Sequence, residues 1–167
     1  MPGAEMPVSG MPRRSAGLLL YRRTARKAEV FLVHPGGPYY AKRDDGVWSV
    51  PKGEHEPGDD PVAVALREFE EETGARPPVP AEALVELGTV RQRSGKIVAI
   101  WGAEADFDAT AIRSNTFELE WPPRSGKRRS FPEVDRGSWF DLAAARGRIL
   151  PAQAEFIDRL EQRLAGS

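Results

Sequence analysis

The segment Asp59–Pro78, "DDPVAVALREFEEETGARPP", leaves little choice about its own structure. Asp59 or Asp60 is suited to cap a helix, Pro61 fits its first turn, Gly74 suits its C-terminal end, and Pro77–Pro78 forbids continuation. At 100° per residue, Val62, Leu66, Phe69 and Thr73 form one stripe, whereas Glu68, Glu71 and Glu72 fall together on another face. One face is built for a core. The other must reach solvent or a cation.

The rest of the chain supplies a sheet for that helix. Ser15–Arg23 and Glu29–His34 read as buried strands joined by a basic turn, and Val47–Val50 reads as a short strand running into a loop, "PKGEHEPGDD". Ala83–Gln92 and Lys96–Ala105 form a strand pair with a turn at Arg93–Gly95, Thr116–Trp121 is a weaker strand, and Gly137–Leu142 is the last. "PPRSGKRRSFP", Pro122–Pro132, reads as a basic loop. Pro151–Leu164 is an amphipathic helix with Phe156, Ile157, Leu160 and Leu164 inward. The expected class is mixed α/β, a central sheet with helices packed on it. Residues 1–12 are expected to be a flexible tail and 13–167 a single domain.

Composition narrows function by exclusion. There are 24 basic and 25 acidic residues and a net charge of −1, so no global field draws the chain to nucleic acid or membrane. There is no cysteine, which excludes disulfides and thiolate metal sites. The longest apolar runs are too short to span a bilayer, and the N-terminus has no signal-peptide core, so a cytoplasmic home is expected.

Like charges at i,i+3 and i,i+4 (Glu68 with Glu71 and Glu72) each cost about 0.2–0.5 kcal/mol in an isolated helix. Their place near the C-terminal end adds about 0.3–1 kcal/mol each through the helix dipole. Arg67 offsets part of this through Glu70 or Glu71. A hard divalent cation held by carboxylate oxygens would compensate the remainder. The loop before the helix carries Gly53 and Gly58, can bring backbone carbonyls beside the carboxylates, and opens on Lys52, which could meet a phosphate.

With Gly53, Arg67, Glu68, Phe69, Glu71, Glu72 and Gly74 in register, Gly53–Ala75 resembles the Nudix box. Asp59 and Ala75 depart from it, standing where the signature has glutamate and a larger aliphatic residue. The resemblance implies an α/β/α sandwich with a central mixed sheet. It also implies hydrolysis of a diphosphate linkage in a nucleotide, with Mg²⁺ or Mn²⁺ as cofactor. It makes Glu68, Glu71, Glu72 and the Gly53 carbonyl metal ligands, with Arg67 orienting the glutamates. Glu133, in "FPEVDRGSWF", is a candidate base or further ligand, with Asp135 as the alternative.

The triplet Pro51-Lys52-Gly53 and the strand headed by Lys96 are similar to the branch of dinucleoside tetraphosphate hydrolases and nucleoside triphosphate pyrophosphohydrolases. Lys52 and Lys96 are then substrate-binding candidates. A tyrosine common in that branch shortly past the box is replaced here by "RQR", Arg91–Arg93. The expected partner is a small nucleotide or polyphosphate, a dinucleoside polyphosphate or nucleoside triphosphate first. ADP-ribose, an oxidised nucleotide, an inositol pyrophosphate and binding without turnover are the alternatives. The basic stretch Arg124–Ser130 suits a long polyphosphate or a capped RNA end, though the charge balance argues against nucleic acid. Tyr39, Tyr40, Trp48 and Trp101 are candidates for stacking on a base. His34 and His55 are not spaced as a metal pair.

Overall fold

A computed structural model describes residues 11–166. The strands are β1 (Arg14–Arg23), β2 (Ala28–Pro35), β3 (Lys52–His55), β4 (Val85–Arg91), β5 (Ile97–Glu104), β6 (Thr116–Glu120), β7 (Arg128–Pro132) and β8 (Val134–Asp141). The helices are α1 (Pro61–Thr73), α2 (Leu142–Arg148) and α3 (Ala154–Ala165). The main sheet runs β4-β5-β1-β2-β8, with β3 also pairing β1, and β6-β7 is a separate two-stranded ribbon.

The strand β1 organises the molecule. Along one edge it pairs in parallel with β5 from Arg14 to Tyr21. Its other edge is divided: Arg14–Gly17 pair antiparallel with β3, and Tyr21–Arg23 pair antiparallel with β2. Side chains alternate across a strand, and β1 and β2 are apolar on both faces. Ala16, Leu18, Leu20, Phe31 and Val33 join Val64, Ala65 and Phe69 of α1 in one core. Leu19, Val30 and Leu32 join Ala145 of α2 and Phe156, Ile157 and Leu160 of α3 in the other. The expected α/β/α sandwich is thus present, with α1 alone on one face.

The helix α1 keeps its expected boundaries. The Asp60 carboxylate accepts the Val62 N–H at 3.1 Å, Pro61 occupies the first turn, and Gly74 takes a left-handed φ of 78°. Its buried stripe is Val64, Ala65, Phe69 and Thr73, turned somewhat from the expected one, with Leu66 packing at the margin. Replacing the Asp60 cap by alanine is expected to cost about 1 kcal/mol. A urea midpoint unchanged in Asp60→Ala would show that the cap contributes nothing.

Three readings need correction. Val47–Val50 is not a strand but is held by isolated bridges, Val33 to Ser49 and Trp48 to Ile149. The strand lies just after it, at Lys52–His55, read from sequence as loop because "KGEH" has no apolar alternation. Pairing with the N-terminal half of β1 makes it extended. The second half of the basic loop is β7, which pairs with β6 from Thr116 opposite Pro132 to Glu120 opposite Arg128. The short helix α2 was missed, although Asp141 caps it by accepting the Ala144 N–H at 2.7 Å. The proposed tail, residues 1–12, lies mostly outside the described residues. No helix among the described residues is long and apolar enough to cross a membrane.

Candidate functional site

The acidic face of α1 lies against β3 and the turn into β8. A Cβ on Gly53 would overlap the Glu68 carboxylate, so any larger residue at this point of β3 would push the end of that side chain aside. We expect Gly53→Ala to displace Glu68 and lower kcat by about 10²-fold, the usual cost of a small misplacement at a reacting centre. Near-wild-type kcat in that variant would show that the close approach has no role.

Arg67 Nη2 lies 3.6 Å from Glu68 Oε2, and Arg67 Nε lies 3.6 Å from Glu71 Oε2. The arginine thus holds two of the three glutamates from its exposed position, while Glu70 is not its partner. Glu72 lies deeper. Burial, then the neighbouring Glu68 charge, pushes its carboxyl up to about 8, against the pull of Lys52. Glu68 is also raised, first by burial and then by Glu71. Glu133 raises both Glu68 and Glu72, which places its charge beside theirs.

That placement is made by backbone. Asn115 N–H donates to the Glu71 carbonyl at 2.9 Å, Glu133 N–H donates to the Asn115 carbonyl at 2.8 Å, and Gly36 N–H donates to the Glu133 carbonyl at 2.9 Å. Glu133 is therefore fixed between the end of α1 and the end of β2. Asp135 is occupied elsewhere: its carboxylate lies 2.8 Å from Nδ1 of the buried His34, whose Nε2 lies 2.6 Å from the Arg43 carbonyl. As an alternative to Glu133 it has a structural task already.

Lys52 and Lys96 come together on the β3 side. Burial, and then the Lys96 charge, lowers the Lys52 pKa, while Glu72, Glu54 and Glu68 oppose that shift. Lys96 Nζ lies 3.2 Å from Glu54 Oε2. Sequence reasoning missed Glu54, since its segment was read as loop. Lys52 thus lies within reach of one other ammonium group and of three carboxylates, those of Glu72, Glu54 and Glu68.

The donor set fits hard divalent ions. It is all oxygen and partly withdrawn from water, and burial first, with neighbouring carboxylates second, raises Glu68 and Glu72 above the usual carboxylate range. Among the described residues no three side chains already converge as a ready metal cluster. Arg67 holds Glu68 and Glu71 instead, so these side chains would have to turn toward an ion.

The other candidates separate. Trp48 is buried, and its Nε1 donates to Asp44 at 2.8 Å, so it is a core residue. Trp101 packs against the core beneath α1. Tyr39 and Tyr40 are exposed. Asp59 accepts the Glu56 N–H at 3.0 Å and so closes the loop before α1.

Comparison with known proteins places this arrangement. The NUDIX domain model matches residues 11–160. No curated protein matches the chain. Among solved structures, a Caenorhabditis elegans Ap4A hydrolase in a binary complex is similar with a TM-score of 0.61 at 22% identity, covering 93% of this chain and 99% of that one. The NUDIX domain of Shewanella oneidensis NrtR complexed with ADP ribose is similar with a TM-score of 0.62 at 18% identity, covering 92% and 89%. The C-terminal domain of mouse MUTYH, in complex with human PCNA, has a TM-score of 0.57 at 18% identity, covering 93% and 91%. At these identities the likeness is one of fold.

Proposed function

The chain belongs to the Nudix family, whose hydrolases cleave diphosphate linkages in nucleotides with divalent cations, and we propose that it acts on a dinucleoside polyphosphate or nucleoside triphosphate by water attack at phosphorus. The observation that carries this reading is the retention of Glu68, Glu71 and Glu72 on one half-buried face with Glu133 brought beside them. A module that only binds its nucleotide has no need of so costly a cluster.

Glu68, Glu71, Glu72 and the Gly53 carbonyl would hold Mg²⁺ or Mn²⁺. Bound there, the cations neutralise phosphate oxygens and acidify the attacking water. In this reading Glu133 accepts the proton as the new phosphorus–oxygen bond forms and the anhydride bond breaks, with the leaving phosphate departing as an anion. Lys52 and Lys96 balance the phosphate charge from the β3 side. Arg67 orients Glu68 and Glu71 and stays off the substrate.

The Pro51-Lys52-Gly53 triplet and the burial of Lys52 beside Lys96 favour a substrate with a long phosphate chain. The test is a panel of diadenosine tetraphosphate, nucleoside triphosphates, 8-oxo-dGTP, ADP-ribose and an inositol pyrophosphate, incubated with Mg²⁺ and resolved by product. Release of ATP from the tetraphosphate dinucleotide is the expected pattern. Exclusive cleavage of ADP-ribose would move the assignment to that substrate. An inert but folded protein that binds nucleotide tightly would end the hydrolase reading.

A further inference from the structure

Between β2 and β8 the ladder slips by one residue. His34 lies opposite Arg136, but Pro35 lies opposite Val134, so Asp135 has no partner across the ladder. This is a β-bulge, in which one strand carries an extra residue and re-aims its side chains at that point. Gly137 and Trp139 face the core beneath α1, since a Cβ on Gly137 would meet Phe31 and Trp139 packs against the same cluster. By alternation an unbroken β8 would turn Asp135 into that core and Val134 out of it. The bulge reverses this. Val134 is buried with Phe31 and Phe69, and the Asp135 carboxylate meets His34 at 2.8 Å and Arg136 at 3.7 Å. The same slip sets Glu133 against Gly36, whose N–H donates to the Glu133 carbonyl at 2.9 Å. A regular ladder would have brought Val134 to that place.

The bulge closes on His34. Its ring is fully buried and packs edge-on against Trp48 at 5.1 Å. The Arg43 carbonyl can only accept, so Nε2 carries the hydrogen of their 2.6 Å contact, and Nδ1 is left to Asp135. A buried polar atom without a partner is costly. Sliding β8 into regular register would leave Nδ1 without Asp135 and would turn Val134 out of the core. Both penalties act in the same direction, so the pair holds the strand in the bulged register.

We propose that Asp135 and His34 are positioning residues for the hydrolysis: their contact locks the bulge, and the bulge holds Glu133 at the carboxylate face. This rests on the reading of Glu133 as the proton acceptor. It gives a buried histidine outside the acidic cluster a task in the reaction. It also separates Asp135 from a base or a metal ligand by chemistry. An amide in its place can still donate to Nδ1, but it can neither take a proton from water nor offer a cation a negative charge.

The test combines kinetics with amide exchange in Asp135→Ala, Asp135→Asn, Glu133→Gln and the double variant Asp135→Ala/Glu133→Gln. With diadenosine tetraphosphate and Mg²⁺, Asp135→Ala is expected to lower kcat about 10–100-fold, the usual cost of a lost supporting partner, with KM within about twofold because Lys52 and Lys96 are untouched. Asp135→Asn should recover most of that loss. In the Glu133→Gln background, Asp135→Ala should lower kcat no further, since residues that act as a unit do not add. Deuterium exchange of the Gly36 and Glu133 amides, relative to amides of β1, should be about tenfold faster in Asp135→Ala and return in Asp135→Asn. An unchanged kcat in Asp135→Ala beside a slow Glu133→Gln overturns the positioning role alone. So does an additive loss in the double variant, or an Asp135→Asn as slow as Asp135→Ala, which would mean that Asp135 acts by its charge. Wild-type kcat in Glu133→Gln removes Glu133 from the reaction, and the proposal falls with the reading it rests on. If wild type cleaves no nucleotide, the hydrolytic reading fails, and unchanged exchange in Asp135→Ala would overturn the lock itself.

Discussion

Glu71→Gln should leave a folded protein that turns over its substrate about 10³-fold more slowly, within the range for loss of a group that handles charge or protons at a reacting centre. The substitution keeps the side-chain volume and removes one anion. Glu71 is 42% exposed and held only by Arg67 at 3.6 Å, so no buried partner is orphaned. Removing its charge also relieves the repulsion that raises Glu68. Stability should therefore hold or rise slightly while activity collapses, a combination that a structural role would not produce. Arg67→Ala gives the contrast. It removes the group that orients Glu68 and Glu71, and a supporting partner of this kind typically costs about 10–100-fold. The measurement is kcat/KM under saturating Mg²⁺, with thermal unfolding in parallel. Activity of Glu71→Gln within a few-fold of wild type would remove the α1 face from the reaction.

The second expectation concerns the metal-free protein and pH. The Glu72 carboxyl sits at about 8 in the fold against an ordinary value of 4.5. Between those limits the folded state keeps a proton that the unfolded chain releases. Stability is then fully present at the acidic end and is lost as pH rises toward 8, at up to about 1.4 kcal/mol per unit. Glu68, raised by burial and by Glu71, contributes with the same sign. Lys52 is depressed instead, so its contribution grows with pH toward the alkaline range. In EDTA the melting temperature should fall from pH 6 to pH 8, and Glu72→Gln should flatten most of that slope, because the amide has no proton to lose. Added Mg²⁺ should restore wild type at pH 8 far more than Glu72→Gln. Parallel pH profiles for the two proteins in EDTA would show that Glu72 is not the strained group.

The helix that carries the glutamates is written locally. Asp60, Pro61 and Gly74 fix its ends through neighbours within a few residues, and the spacing of Glu68, Glu71 and Glu72 fixes their common face whatever surrounds the helix. The paired runs of β1 and β2 were equally legible, since burial on both faces demands continuous apolar sequence. The short helix α2 and the precise phase of the α1 stripe were not, because seven residues give little periodicity and packing chooses among adjacent apolar positions.

Tertiary structure decided everything that depends on a distant partner. Lys52–His55 is a strand only because β1 offers the edge that it pairs with, so Gly53 reaches Glu68 through a contact that "KGEH" does not encode. Glu133 joins the glutamates because Asn115 and Gly36 capture its backbone from opposite sides. Lys96 meets Lys52 across β1, and half of the basic stretch becomes a strand because β7 folds back on β6. Sequence determined which groups could do the chemistry, since helix punctuation and side-chain spacing act over a few residues. Which of them share one site was decided by strand pairings between segments far apart in the chain, whose register no short stretch specifies.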